Sequence, residues 1–228
     1  MTAIFAYSSP TVAFIASDTL RAVPGMSLLS VSVSKSHFWS DQVVFGQSGT
    51  QFLSKLVGEI KVAKLQWTDT STGAVQLDDS EGWLYKTFGC FQGSQYKNAL
   101  AQPGGANFSN GSLLVAHAGA SHGLARYDFA TGSRVTLAGQ VAADGTDEPA
   151  FLGIANKHLA SMKAGPSGTI PLDEWGRRCL AEAISLHPTS VGWPADLLIA
   201  RPDGRGGRWI VQQRISASSA FGDPIFLG

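Results

Sequence analysis

The second residue of the chain combines two groups that could carry out nucleophilic chemistry. Thr2 directly follows Met1, and a small second residue allows an aminopeptidase to remove the initiator methionine. Thr2 would then carry a free amine and a hydroxyl on the same residue. One class of nucleophilic hydrolases needs this pairing of nucleophile and base.

A predicted β-hairpin brings a carboxylate toward Thr2. Two apolar segments flank a turn at residues 8–10, and the second segment ends in Asp18. If the hairpin is centred near Pro10, Thr2 and Asp18 lie opposite one another within a residue or two. Cross-strand partners share a face at about 5 Å between their Cβ atoms. We therefore expect Asp18 beside Thr2.

Lys35 is the candidate partner of Asp18. In a predicted strand over residues 28–37, apolar residues alternate with serines, and Lys35 falls in the apolar phase. A buried ammonium group is costly unless it is paired, which predicts an ion pair with Asp18. The alternative is that Lys35 lies near the strand end and extends its ammonium to water.

Gly49 is the candidate donor to an oxyanion. A turn at residues 40–41 folds the chain back, so that residues 47–50 arrive near Lys35. Gly49 then precedes a predicted helix, where backbone N–H groups lack intrahelical partners and can bind an anion. A Ser-Gly sequence before a helix is also common as a simple cap.

These residues together resemble the proteasome β-subunit family of N-terminal-nucleophile (Ntn) hydrolases. The features that carry the resemblance are Thr2 opening a strand, Asp18 with Arg21 just beyond it, Lys35, and Gly49 preceding a helix. Weaker matches continue through the chain, at residues 113–116, 145–146 and 189–192.

The resemblance implies an α+β fold, a four-layer αββα sandwich of two antiparallel sheets flanked by helices, formed by residues 1–228 as one domain. It implies a threonine-type endopeptidase like the bacterial proteasome homologues, in which identical subunits form a double ring of about twelve or fourteen copies. Peptides or unfolded proteins would be the substrates. Whether an AAA+ unfoldase is a partner is left open.

The resemblance also implies the role of each catalytic residue. The Thr2 hydroxyl attacks the scissile carbonyl, while the Thr2 amine accepts the proton through a water. Lys35, paired with Asp18, makes the site electropositive and favours the deprotonated nucleophile. The Gly49 N–H stabilises the tetrahedral oxyanion.

Two further hydroxyls, of Thr146 and Ser190, match positions that orient the amine and the water. Thr146 replaces the serine of the family, and His187 stands three residues before Ser190, where the family usually has an acid. This histidine either disturbs the network or makes it sensitive to pH, because histidine titrates near neutrality. Leu20 is an insertion relative to the family pattern.

Two other function classes stay open at the level of sequence. If Met1 is retained, Thr2 has no free amine, and the chain is a catalytically silent ring that serves as a scaffold or binding chamber. The other class is an Ntn amidohydrolase that acts on small amides.

The resemblance implies a pocket for the side chain preceding the cleaved bond, lined by two amides, with His37 nearby. Because a large apolar group would leave those amides unpaired, we expect small or polar side chains to be accepted better than Leu, Phe or Tyr. The implied substrate-binding residues are Arg21, Ala22, Val23, Val33, Gln47 and Gln51.

Composition and charge limit the number of domains and the kinds of partner that the chain can have. The chain has 228 residues, 44% hydrophobic and 15% charged, and a formal net charge of zero. It can form one substantial core, and its charge does not favour nucleic acid or an anionic membrane as a partner.

No run approaches the roughly 18 apolar residues of a membrane span. Without a signal-peptide pattern, the expected location is cytoplasmic. The histidines and two cysteines lack metal-ligand spacing, so we expect neither metal nor cofactor.

The predicted elements alternate between groups of strands and groups of helices. Residues 119–123 fit the G-x-S-x-G pattern of a nucleophile elbow, but a strand is predicted after them, which favours a hairpin turn. Strands are predicted over residues 2–7, 11–17, 28–37, 42–45, 112–118, 124–129, 135–141, 196–200 and 209–215, and helices over 50–67, 84–100, 150–162 and 171–186.

Overall fold

The structure is a computed structural model of the chain. It describes residues 2–22, 30–40, 42–49, 57–58, 84–85, 88, 98, 101, 111–163, 171–202 and 208–216.

The first sheet is antiparallel and has five strands. They are β1 (Ala3–Ser9), β2 (Val12–Asp18), β10 (Val141–Gly145), β11 (Ala195–Pro202) and β12 (Arg208–Ile215), in the order β10-β1-β2-β11-β12. The hairpin of β1 and β2 is confirmed, with Ile4 opposite Ser17 and Ser9 opposite Val12. This register is one residue away from the one centred on Pro10.

The second sheet is also antiparallel and has five strands. They are β5 (Ser36–Phe38), β6 (Val43–Gly49), β7 (Gly111–His117), β8 (Gly123–Asp128) and β9 (Arg134–Leu137), in the order β5-β6-β7-β8-β9. A two-stranded ribbon joins β3 (Leu20–Ala22) to β4 (Ser30–Ser32). The turn at residues 119–123 links β7 and β8 as a hairpin, so the sequence does not form a nucleophile elbow, which requires a helix after the serine.

Two helices cover one face of the first sheet. They are α1 (Glu148–Lys163) and α2 (Leu172–Leu186). Trp175 of α2 is fully buried and packs edge-on against Phe5 and Phe14. Burying a large apolar side chain of this kind contributes about 1.5 to 3 kcal/mol, so this contact fixes the helix pair on the sheet.

The two sheets pack face to face through alternating side chains. Because strand residues alternate between faces, Ile4 and Ile15 of the first sheet meet Val44 and Leu114 of the second in one apolar cluster. The opposite face of the second sheet packs against three buried residues in helical conformation, Val57, Leu84 and Phe88. The mixed α/β architecture with two antiparallel sheets is therefore confirmed and is compatible with a sandwich.

Two predicted strands are each split between different pieces of the fold. The segment 28–37 is not one strand, because β4 ends at Ser32 and β5 begins at Ser36 in the second sheet. The segment 135–141 likewise divides into β9 and β10, on opposite sheets. Gly139, with φ of 92°, lies in the connection. An alternating pattern looks the same on either sheet, so it does not reveal such a change.

The predicted helices agree with the structure wherever their residues are described. The prediction of helices over 150–162 and 171–186 is confirmed. For the predicted helices over 50–67 and 84–100, residues 57–58, 84–85, 88 and 98 are helical, and the rest lie outside the described residues. Within the described part of the chain, no helix is both long and apolar enough to span a membrane.

Candidate active site

Thr2 lies at the start of β1, held by the loop that follows β10. Its backbone N–H donates to Thr146 Oγ1 at 3.2 Å, and the Thr146 N–H donates to the Thr2 carbonyl oxygen at 3.0 Å. Thr2 is only 5% exposed. The predicted proximity of Thr146 to the Thr2 nitrogen is therefore present.

Gly145 permits this close contact between Thr2 and the β10 loop. It has φ of 133°, a conformation that residues with a side chain rarely adopt. A Cβ atom added at Gly145 would lie 1.9 Å from the Thr2 carbonyl oxygen. A glycine is therefore needed for the loop to approach Thr2.

The predicted ion pair between Asp18 and Lys35 is present. Lys35 Nζ lies 2.8 Å from Asp18 Oδ1 and 2.9 Å from Oδ2, and it also donates to the Leu20 carbonyl oxygen at 2.7 Å. Asp18 is fully buried and Lys35 is 7% exposed. The alternative, in which the Lys35 ammonium extends to water, is wrong.

The ion pair is joined directly to the residue after Thr2. Asp18 Oδ1 accepts the Ala3 N–H at 2.9 Å. A buried carboxylate needs such donors to compensate for lost hydration. The ammonium of Lys35 is thereby connected, through Asp18, to the first residue of β1, which directly follows Thr2.

Burial and pairing act in opposite directions on the two charged groups. Burial raises the pKa of the Asp18 carboxyl, while the Lys35 ammonium and the Ala3 N–H oppose that rise. Burial also lowers the pKa of Lys35, and the Asp18 carboxylate opposes that fall. Lys35 therefore loses its proton at a lower pH than an exposed lysine.

Lys35 reaches Asp18 from an irregular segment and not from a continuous strand. The Val33 N–H donates to the Thr19 carbonyl oxygen at 2.9 Å, and the Gln47 N–H donates to the Lys35 carbonyl oxygen at 2.7 Å. The Lys35 side chain is thus buried, as the alternating pattern predicted. The backbone contacts of residues 33–35 orient it, and not a continuous strand.

Two serines fix the backbone on either side of Lys35. Ser36 Oγ lies 2.6 Å from Ser17 Oγ across the two sheets. Ser34 Oγ donates to Asp196 Oδ2 at 2.8 Å. Arg214 binds the same Asp196 carboxylate through Nε at 2.7 Å and Nη2 at 3.0 Å, a bidentate geometry that restricts both side chains.

Gly49 is the last residue of β6 and lies opposite Gly111 of β7. It is exposed and has φ of 120°, a conformation that favours glycine. The start of the helix predicted after it lies outside the described residues, so its role as an oxyanion donor stays a prediction.

Ser190 and His187 lie together after the end of α2. Ser190 is 5% exposed, and its N–H donates to the His187 carbonyl oxygen at 3.0 Å. His187 Nε2 lies 3.2 Å from Asp147 Oδ2. The histidine that replaces the family's acid is therefore paired with a carboxylate one residue from Thr146, which sequence reasoning had not connected to it.

No family model matches the chain, and comparison with curated proteins returns no relative.

The implied substrate-binding residues are only partly described. Arg21 and Ala22 lie in β3, and Val33 is half-buried beside Thr19. Gln47 is buried in β6, next to Lys35. Val23 and Gln51 lie outside the described residues, so the pocket and its side-chain preference stay predictions.

Sequence reasoning missed the buried carboxylate of Asp144, which lies close to these residues. Asp144 lies in β10 and accepts hydrogen bonds from Ser48 Oγ and from the Gly145 N–H. It was missed because β10 was not predicted as a separate strand. The available signal was the aspartate directly before Gly145 and Thr146, the two residues that match the family pattern.

Proposed function

We propose that the protein is a threonine-type endopeptidase of the Ntn hydrolase class, with Thr2 as its nucleophile once Met1 is removed. The observation that carries the proposal is the buried Asp18–Lys35 pair bonded to the Ala3 N–H, directly after Thr2. A buried ammonium that is connected through a carboxylate to the residue after a threonine can favour the deprotonated form of that threonine.

The chemistry follows from the positions of these groups. The Thr2 hydroxyl attacks the scissile carbonyl and passes its proton through a water to the Thr2 amine. The peptide C–N bond then breaks as that proton moves to the leaving nitrogen, and a second water hydrolyses the ester formed with Thr2. The Lys35 ammonium favours the charged form of the nucleophile, because a positive charge stabilises a developing alkoxide. Thr146 Oγ1 orients the amine, and the Gly49 N–H receives the oxyanion.

The fold proposed for this activity is the four-layer αββα sandwich of Ntn hydrolases. Its support is the packing of two antiparallel sheets on each other, with α1 and α2 against the outer face of one sheet. The proposal includes peptides or unfolded proteins as substrates, a double ring of identical subunits, and a cytoplasmic location.

A catalytically silent ring is the second candidate, and the pairing of His187 with Asp147 favours it. The resemblance implies an acid at the His187 position, as part of the network that orients the nucleophile's amine. Here the nearest carboxylate partner of His187 lies on the β10 loop, so the proton-accepting network differs. An amidohydrolase for small amides shares the chemistry of the first candidate and differs from it in the substrate.

Substitution of Thr2 tests the proposal. We expect Thr2→Ala to abolish hydrolysis of fluorogenic peptides, while circular dichroism and solution mass stay unchanged, because only the nucleophile is lost. Thr2→Ser should keep part of the activity, since the amine and hydroxyl remain on one residue.

The mass of the mature protein separates the candidates. Loss of Met1, together with covalent capture of Thr2 by a peptide epoxyketone, supports the peptidase, because that reagent needs the amine and the hydroxyl together. Retained Met1 in an inactive ring supports the scaffold. Hydrolysis of small amides without peptide cleavage supports the amidohydrolase. Undiminished peptidase activity in purified Thr2→Ala would contradict the nucleophile assignment.

A further inference from the structure

Asp144 places a carboxylate between the two sheets, next to the apolar cluster that joins them. It is 5% exposed. Ala142, two residues earlier in β10, belongs to the apolar cluster between the sheets, and residues two apart in a strand face the same way. The carboxylate therefore extends from the first sheet toward the second.

The carboxylate is met by donors from both sheets. Ser48 Oγ of β6 lies 3.0 Å from Asp144 Oδ2, and Ser112 Oγ of β7 also hydrogen-bonds that oxygen. The two serines lie opposite one another, with their hydroxyl oxygens 2.8 Å apart. The Gly145 N–H donates to Asp144 Oδ1 at 2.7 Å. An acceptor-only carboxylate suits this set of donors.

Core stability alone does not account for a charge at this point. A buried carboxylate costs free energy that hydrogen bonds only partly return, and an apolar residue of similar size is often as stable. What Asp144 does provide is a fixed distance between two segments of backbone.

Those two segments carry the two halves of the proposed site. On one side, Asp144 is followed by Gly145 and Thr146, and Thr146 exchanges two hydrogen bonds with Thr2. On the other side, the Ser48 hydroxyl is bonded to the carboxylate, and the next residue is Gly49. Asp144 thus connects the loop that contacts Thr2 to the residue before Gly49.

We propose that Asp144 is a positioning residue, which sets the Gly49 N–H at the distance from Thr2 that the tetrahedral oxyanion requires. This inference rests on the proposed function. Asp144 touches neither substrate nor nucleophile and acts through Ser48 and through the loop after β10.

Asp144→Asn should separate the two halves of the site. The amide retains one acceptor oxygen and replaces the other with donor hydrogens. Ser48 and Ser112 then lose the acceptor they share and must turn to accept from the amide, which rearranges the contact between the two segments. A displaced Gly49 weakens stabilisation of the transition state and leaves ground-state binding alone, so kcat falls while KM is unchanged.

Two reactions of Thr2 distinguish a loss of oxyanion stabilisation from a general disturbance of the site. Hydrolysis of a peptide amide passes through a carbonyl oxyanion. Labelling by a peptide vinyl sulfone adds the Thr2 oxygen to a carbon–carbon double bond and forms no such oxyanion. We expect Asp144→Asn to lower kcat for the amide by at least about tenfold, while the labelling rate stays within about threefold.

Ser48→Ala and Asp173→Asn are the matched variants. Ser48→Ala removes the hydroxyl next to Gly49 without changing a charge and should reproduce the effect. Asp173→Asn makes the same chemical change at a buried carboxylate on α2, and both rates should match the unmodified protein. Equal loss of kcat and labelling in folded Asp144→Asn, or no loss in either, would overturn the proposal.

Hydrogen exchange tests the link independently of activity. Peptides covering residues 46–49 and 142–147 should both exchange faster in Asp144→Asn, while peptides from β11 stay protected. If the unmodified protein neither cleaves peptides nor reacts with the vinyl sulfone, the proposed function fails, and the exchange result alone decides on Asp144. Unchanged exchange in both segments would overturn its positioning role.

Discussion

Lys35 holds its ammonium group in a site that is almost closed to water. Its ion pair with Asp18 compensates for lost hydration, so removing one partner leaves the other charge buried and unpaired. Lys157 offers a contrast, because its pair with Glu182 lies at the surface with the lysine side chain 64% exposed.

Replacing Lys35 should therefore cost far more stability than replacing Lys157. We expect Lys35→Met to lower the free energy of unfolding by about 3 to 5 kcal/mol and to abolish activity. Lys157→Met should change it by less than about 1 kcal/mol. Urea denaturation measures both values. Adding Asp18→Asn to Lys35→Met should restore part of the loss, and equal effects of the two lysine variants would contradict a buried pair.

The same ion pair predicts the pH dependence of activity. Burial lowers the pKa of Lys35, so the ammonium required by the proposed mechanism is lost at a pH below about 10.4, the ordinary value for lysine. Peptidase activity should fall on the alkaline side in that range. A Lys35→Arg variant that keeps activity should shift this limb upward, since arginine stays charged.

Stability should change in the opposite direction over the same range. Between the lowered pKa of folded Lys35 and the ordinary pKa of the unfolded chain, the unfolded chain binds more protons. The contribution of Lys35 to the unfolding free energy therefore rises with pH there. The difference in unfolding free energy between the unmodified protein and Lys35→Met measures it, and a difference that falls with pH would contradict the lowered pKa.

At the scale of elements, the junction between β10 and α1 determines how Thr2 is held. Gly145 approaches the Thr2 backbone too closely for any side chain, and its φ is positive. Gly139 shares the positive φ but has open space around it. An alanine at Gly139 would meet only the strain of a positive φ, whereas an alanine at Gly145 would meet that strain and a clash with Thr2.

Gly145→Ala should disrupt the site much more than Gly139→Ala. Gly139→Ala carries only the cost of the left-handed backbone, about 1 to 3 kcal/mol. Gly145→Ala adds a clash that must move either Thr2 or the loop, so activity should be lost and stability should fall further. Peptide hydrolysis and thermal unfolding of the two variants check this, and full activity in Gly145→Ala would contradict the contact between the loop and Thr2.

At the scale of the whole molecule, the proposal of a double ring rests on the family resemblance. Light scattering at micromolar concentration should return a mass of about twelve or fourteen chains. Thr2→Ala should give the same mass, because the nucleophile takes no part in assembly. A monomer or dimer would contradict the ring and would leave the Thr2 chemistry to be judged by the epoxyketone experiment.

The sequence by itself was sufficient for the first hairpin, and it gave the Asp18–Lys35 pair as one of two alternatives for Lys35. The hairpin follows from a short turn between two apolar segments, which is a local property. The pair was a candidate because a lysine that is buried in an apolar phase needs a carboxylate and Asp18 ends the neighbouring strand, and the tertiary structure then excluded an ammonium exposed to water. The positions were right, although Lys35 lies in an irregular segment and not in the continuous strand predicted for it.

Only the tertiary structure decided where the chain changes sheet. Between Ser32 and Ser36, and again between Leu137 and Val141, the chain passes from one piece of β-structure to another. The alternation that predicts a strand has a period of two residues in either sheet, so it carries no information about which sheet the strand joins. That choice is made by contacts between residues far apart in sequence, and it brings Asp144 to Ser48 and Thr146 to Thr2.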